Sequence, residues 1–156
     1  MDWTDIIFRL GSATLIGGMI GLNRDLHHKP SGLRTLSLVG LGSAILVVIA
    51  TDGAVEHDTA SRVLQGIITG VGFLGAGVIV RDVSSARVRG LTTAAAIWLT
   101  AGLGSACGLG AWRVAVVACA LAGFVLVFGG PIEKFVHHSL SRDDTGPDKM
   151  PPKATE

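Results

Sequence analysis

The sequence predicts an all-α protein, a polytopic membrane bundle of about five transmembrane helices. Four observations carry this prediction. Apolar runs of about 17–25 residues recur five times, the length that crosses the hydrocarbon core of a bilayer. Mean hydropathy is +0.55. Glycine makes up 22 of 156 residues, about twice the ~7% of soluble domains; in lipid such an excess serves close helix contact. Finally, the basic residues collect in alternate connecting segments, as they do when a chain crosses a membrane repeatedly.

The first span is expected over residues 3–22, with Trp3 at the interfacial belt and Ala13, Gly17 and Gly21 forming an i, i+4 row of small residues. The second, 33–51, offers Gly40, Ser43 and Ala44 as a similar surface. The third, 63–80, is read as the central helix. Residues 66–80 hold five glycines and no charge. At about 100° per residue Gly66, Gly70 and Gly77 share a stripe while Gly72 and Gly75 lie opposite, so packing from both sides is expected. Gly70-Val-Gly-Phe-Leu-Gly75 also matches a dinucleotide-binding pattern. That site needs a preceding strand and an acid some twenty residues on, and no Asp or Glu occurs from Val83 to Ile132. The fourth span, 91–107, is short, and Thr92 to Ala96 supply small residues. The fifth, 111–128, is expected to stop at Gly129-Gly-Pro131. Residues 1–130 are thus read as one five-helix membrane domain, and 131–156 as a short cytoplasmic interfacial helix and a disordered tail.

The charges orient the bundle. Arg24, Lys29 and Arg34 lie between the first two spans, Arg81, Arg87 and Arg89 between the third and fourth, and four more basic residues in the tail. Arg62 and Arg113 alone lie on the other side, beside Asp2, Asp5, Asp52, Glu56 and Asp58. The N-terminus is therefore expected outside and the C-terminus in the cytoplasm. A formal charge of +1 gives no reason to expect nucleic acid. Cys107 and Cys119 lack ligand spacing and read as free buried thiols. The N-terminal residues lack a basic region and a small-residue cleavage site, so no removed signal peptide is expected. Catalytic signatures are not found, and neither a cofactor nor a metal is expected.

The polar residues within or beside the spans are the functional candidates. Arg9 sits two turns inside the first span with Asp5 on the same face. It is either a snorkelling side chain or an intramembrane charge with a task. Gln65, Thr69, Thr92, Thr93 and Thr100 are expected to bridge helices, with a polar permeation path as the minority reading. Ser31-Gly-Leu-Arg-Thr35 and Arg89-Gly-Leu-Thr-Thr93 each lead into a span. They read as helix entries capped by Ser31 and Thr92, or as anion sites for a lipid phosphate built on Arg34 and Arg89. His27, His28, His137 and His138 lack a completing ligand set, and Asp52, Glu56 and Asp58 read as solvated loop charges.

Residues Arg9-Leu-Gly-Ser-Ala13, Ile20-Gly-Leu-Asn-Arg24, Gly32-Leu-Arg-Thr35, Gly70-Val-Gly-Phe-Leu-Gly-Ala-Gly-Val-Ile79 and Gly90-Leu-Thr-Thr-Ala-Ala-Ala-Ile-Trp98 resemble the MgtC/SapB family of bacterial inner-membrane proteins. The resemblance implies a five-span domain linked to magnesium limitation, acid stress or survival inside host cells. It also implies regulation of other membrane proteins more than transport. Members commonly read Glu-Arg-Glu where this chain has Asn23-Arg24-Asp25, and some have Asn in place of Thr92. Longer members carry a soluble ACT-like domain after the last span, so the resemblance covers the membrane part. The function expected is a non-enzymatic membrane component that adjusts envelope ion homeostasis. A homo-oligomer or another membrane complex is the expected partner, with anionic lipid as a further one; a magnesium-permeable transporter or channel is the alternative. The residues expected to matter are Asp5, Arg9, Arg24, Arg34, Gly70, Gly72, Gly75, Arg89, Thr92 and Thr93.

Overall fold

The computed structural model describes residues 1–52, 57–81 and 88–143, with side chains over 1–52, 59–79 and 88–130. Five helices follow in order: α1 Trp3–Leu26, α2 Leu33–Thr51, α3 His57–Val78, α4 Leu91–Gly108 and α5 Trp112–Asp143. All five are long and apolar enough to cross a membrane. The fold is the all-α bundle that the apolar runs predict, and α2 begins and ends at the expected residues.

Other boundaries differ. α3 starts at His57, ahead of the expected residue 63, and ends at Val78 rather than at residue 80. α1 continues to Leu26 and takes Arg24 into its last turn, where the sequence placed it in a loop. The glycine pair and Pro131 do not stop α5, which runs on to Asp143. A proline inside a helix removes one N–H bond and crowds the carbonyl four residues back, a fault that membrane helices tolerate. The segment after α3, read as a plain loop, carries a two-residue antiparallel ladder in which β1 (Val80–Arg81) pairs with β2 (Val88–Arg89). Gly90 closes it with φ 93, and a Cβ there would overlap the Val78 carbonyl. The expected tail disorder beyond Asp143, Glu56 and most of the Arg81–Gly90 connection lie outside the described residues.

Met1–Ala120 forms one compact unit. Its core lies between α2 and α4, with Leu36, Ala44 and Val47 of one helix and Ile97, Thr100 and Cys107 of the other almost fully enclosed. α2 packs on α1, α3 and α4, whereas α3 packs on α2 and α4 through the narrow stripe Ile67, Val71 and Gly75. The central position expected for α3 is therefore held by α2 and α4.

The reason is visible atom by atom. A Cβ at Gly17 would overlap the Leu36 carbonyl, one at Gly40 would lie 2.7 Å from Ala13 O, and one at Gly104 would overlap Gly40 O. These glycines let backbones touch. A Cβ at Gly66, Gly70, Gly72 or Gly77 would meet no neighbouring helix within 4 Å. Composition made α3 look like the packed helix, but four of its five glycines face open space among the described residues and Gly75 alone meets a neighbour, Ala94. From Leu121 onward the second unit continues α5, where Phe124 and Phe128 stack one turn apart with centroids 4.8 Å apart.

Candidate functional site

α1 presents Arg9, Ala13, Gly17, Gly21 and Arg24 along its inner side, so a cation stands at each end of a run of small residues. The two arginines are fifteen residues apart, about 22 Å along the helix at 1.5 Å per residue. Both reach α4, and they reach its opposite ends.

Arg9 Nε donates to both Asp5 oxygens, at 3.1 and 3.0 Å, and Nη1 donates to Gly108 O at 2.7 Å. Gly108 ends α4, where unpaired carbonyls gather negative potential that favours a cation. The Arg9 side chain is 18% exposed and does not snorkel freely. Gly110, at φ 71, makes room for it: a Cβ there would lie 3.0 Å from Nη2. Of the alternatives for Arg9, the geometry is that of a planar fork shared by a carboxylate and a helix end.

Arg24 is 3% exposed. Its Nε and Nη2 donate to Pro30 O at 3.2 and 3.1 Å, and Nη2 donates to Thr93 Oγ1 at 2.5 Å. Among the described residues it has no carboxylate within ion-pair distance. A buried guanidinium is costly without such partners, so both acceptors are strongly needed. Its neighbour Asp25 turns elsewhere. The Asp25 carboxylate accepts from Leu33 N at 2.9 Å and caps the start of α2.

That contact corrects the entries read from the sequence. Neither Ser31 nor Thr92 caps a helix: the N-cap positions of α2 and α4 are Gly32 and Gly90, which have no side chain to cap with. Ser31 instead takes φ 60 in the turn. The anion at the α2 terminus is the chain's own Asp25.

Of the other expected residues, Thr93 is buried on Arg24 while Thr92 is exposed. A Cβ at Gly75 would lie 3.5 Å from that of Ala94, whereas one at Gly70 or Gly72 would meet nothing within 4 Å. Arg34 and Arg89 are exposed at the ends of α2 and β2. The structure thus brings together Asp5 with Arg9 and Arg24 with Thr93, and sets Arg34 and Gly70 along one groove between α2 and α3. Bridging by polar side chains holds for Thr93 alone among those described. Thr69 and Thr100 donate to carbonyls one turn back in their own helices, Gln65 O and Ala96 O. Sequence reasoning missed Asp25 as a cap and Gly104 as a contact point. Asp25 lies eight residues before its partner, and no local pattern marks such a reach. Among the described residues no three His, Cys, Asp or Glu side chains are placed to hold a metal.

The fold and this seam define a multi-pass integral membrane protein whose first and fourth helices are pinned at both ends by arginine. A model of the MgtC family matches residues 10–135, and the chain belongs to that family. It is 42% identical over 127 residues to protein SrpB of Synechococcus elongatus, covering 74% of this chain and 70% of that one. Protein SapB of Bacillus subtilis is 43% identical over 118 residues, covering 71% of the chain and 50% of SapB. Protein MgtC of Salmonella typhimurium is 41% identical over 112 residues, covering 72% of the chain and 47% of MgtC. The matched region is therefore about half of the latter two relatives. No solved structure matches the chain.

Proposed function

We propose that this protein is a non-enzymatic component of the bacterial inner membrane that adjusts ion homeostasis through other membrane proteins. Magnesium limitation, acid and host-cell stress are the conditions implied by the family resemblance. The observation that carries the reading is the arginine at each end of the α1–α4 seam. A dication following that seam would meet a guanidinium on entering and another on leaving. Mg²⁺ sheds water reluctantly and is held through carboxylates and retained waters. The two carboxylates nearest the seam, Asp5 and Asp25, are already engaged by Arg9 and by the start of α2. Between the ends, α1 offers Ala13, Gly17, Ile20 and Gly21. The bundle is thus suited to hold a fixed shape and present outer surfaces to a second copy or another membrane complex.

Flux through purified protein tests this directly. Liposomes loaded with a magnesium-sensitive dye and challenged with millimolar Mg²⁺ are expected to fill no faster with protein than without. Rapid, saturable entry would establish the alternative, a magnesium-permeable transporter or channel.

A further inference from the structure

Between α2 and α3 lies a groove of about 720 Å³. Its floor is shaped by Gly42, Gly66 and Gly70, around which there is open space. Leu38, Leu46 and Leu74 form exposed lips, so the groove opens sideways toward the lipid. Arg34 and Thr35 stand at one end, both exposed. Neither makes an ion pair or side-chain hydrogen bond among the described residues.

We propose that this groove binds one anionic phospholipid of the phosphatidylglycerol class, its phosphate on Arg34 and Thr35 and an acyl chain along the glycine floor. Length argues for a lipid over a partner helix. From Arg34 to Leu46 the groove runs twelve residues along α2, about 18 Å. That is close to one leaflet, half of a hydrocarbon core of about 30 Å. A spanning helix would need twice the length. A lipid has the matching asymmetry, one charged end and one apolar end. The charge sign follows from the surroundings. Lys29 is exposed in the preceding connection, and such basic segments beside a membrane favour anionic head groups. A zwitterionic head group would bring an ammonium toward the same cations. Because Asp25 already caps the α2 terminus, the phosphate is held by side chains and not by the helix end.

The site does not depend on the regulatory reading above; it requires only that α2 and α3 lie in a bilayer. The test is lipid retention by the intact protein, measured by native mass spectrometry from nanodiscs of equal phosphatidylglycerol and phosphatidylcholine. Wild type should keep one phosphatidylglycerol in preference to phosphatidylcholine. Arg34→Gln should weaken that retention about fivefold, the scale of one basic side chain at a membrane surface. Gly70→Leu, whose Cβ would meet no atom within 4 Å and whose side chain would occupy the groove, should abolish it. Gly72→Leu, with open space but outside the groove lining, should leave it unchanged. Retention equal for the two lipids, or unaffected by both Arg34→Gln and Gly70→Leu, would overturn the proposal. So would a dimer whose formation, blocked by Gly70→Leu, excludes lipid from the wild-type groove.

Discussion

Arg9 and Arg24 share a residue type and a helix, yet their contacts differ in kind. Arg9 has a carboxylate one turn away, so its pairing could be read from the i, i+4 spacing with Asp5. Arg24 depends on Thr93, sixty-nine residues later, and no spacing rule reaches that far. Two predictions follow from these geometries. Arg9→Lys should lower stability nearly as much as Arg9→Gln, because an ammonium lacks the planar fork whose Nε reaches Asp5 and whose Nη1 reaches the Gly108 carbonyl. Losing charge-assisted bonds of this kind costs about 1–3 kcal/mol, and thermal unfolding in mild detergent measures it. Wild-type melting for Arg9→Lys would show that charge alone suffices. Thr93→Val should destabilise by a similar amount, since it removes an acceptor from a buried guanidinium, while Thr93→Ser should melt as wild type. Equal melting of the Val and Ser variants would dismiss the Arg24–Thr93 bond as an energetic contact.

At the scale of the helix, the small-residue row of α1 was legible in full. Ala13, Gly17 and Gly21 recur at a spacing that only one face of a helix satisfies, and that face is buried. What no single helix reveals is which neighbour its glycines meet. α3 is richest in glycine over its middle turns, yet the closest helix approaches are made among α1, α2 and α4 through Gly17, Gly21, Gly40 and Gly104. Counting glycines locates a permissive helix, whereas packing needs a carbonyl opposite. The contrast is measurable. Gly17→Leu, Gly40→Leu and Gly104→Leu each drive a side chain into a backbone, and overpacking of this kind costs about 1–3 kcal/mol or more. Gly72→Leu enters open space and should cost little. Comparable losses of folded protein at Gly72 and Gly40 would mean that α3 is packed on its outer side as well, by a second copy or by another chain.

At the scale of the molecule, the chain's charge pattern leads to its orientation in the membrane. The sequence puts ten basic residues on one side and two on the other. Arg24 proves to be drawn into the bundle, which leaves nine to two. The asymmetry survives because it rests on Lys29, Arg34 and the residues from Arg81 onward, not on any single side chain. Orientation is governed by Lys and Arg close to span ends, with acidic residues contributing little. Arg34 and Arg89 stand within a few residues of α2 and α4 and carry most weight under that rule. The end of the bundle bearing Arg34 is therefore expected in the cytoplasm, and Asp52, next to α2's other end, outside. Single cysteines at Asp58→Cys and Ser85→Cys, in a background of Cys107→Ala and Cys119→Ala, report on the two sides. Cys107 is fully buried, so the background must first be shown to fold by its melting profile. In intact spheroplasts a membrane-impermeant maleimide should label Asp58→Cys at once and Ser85→Cys only after permeabilisation. Labelling of Ser85→Cys before Asp58→Cys would invert the topology, placing the Arg34 end, and with it the α2–α3 groove mouth, in the outer leaflet.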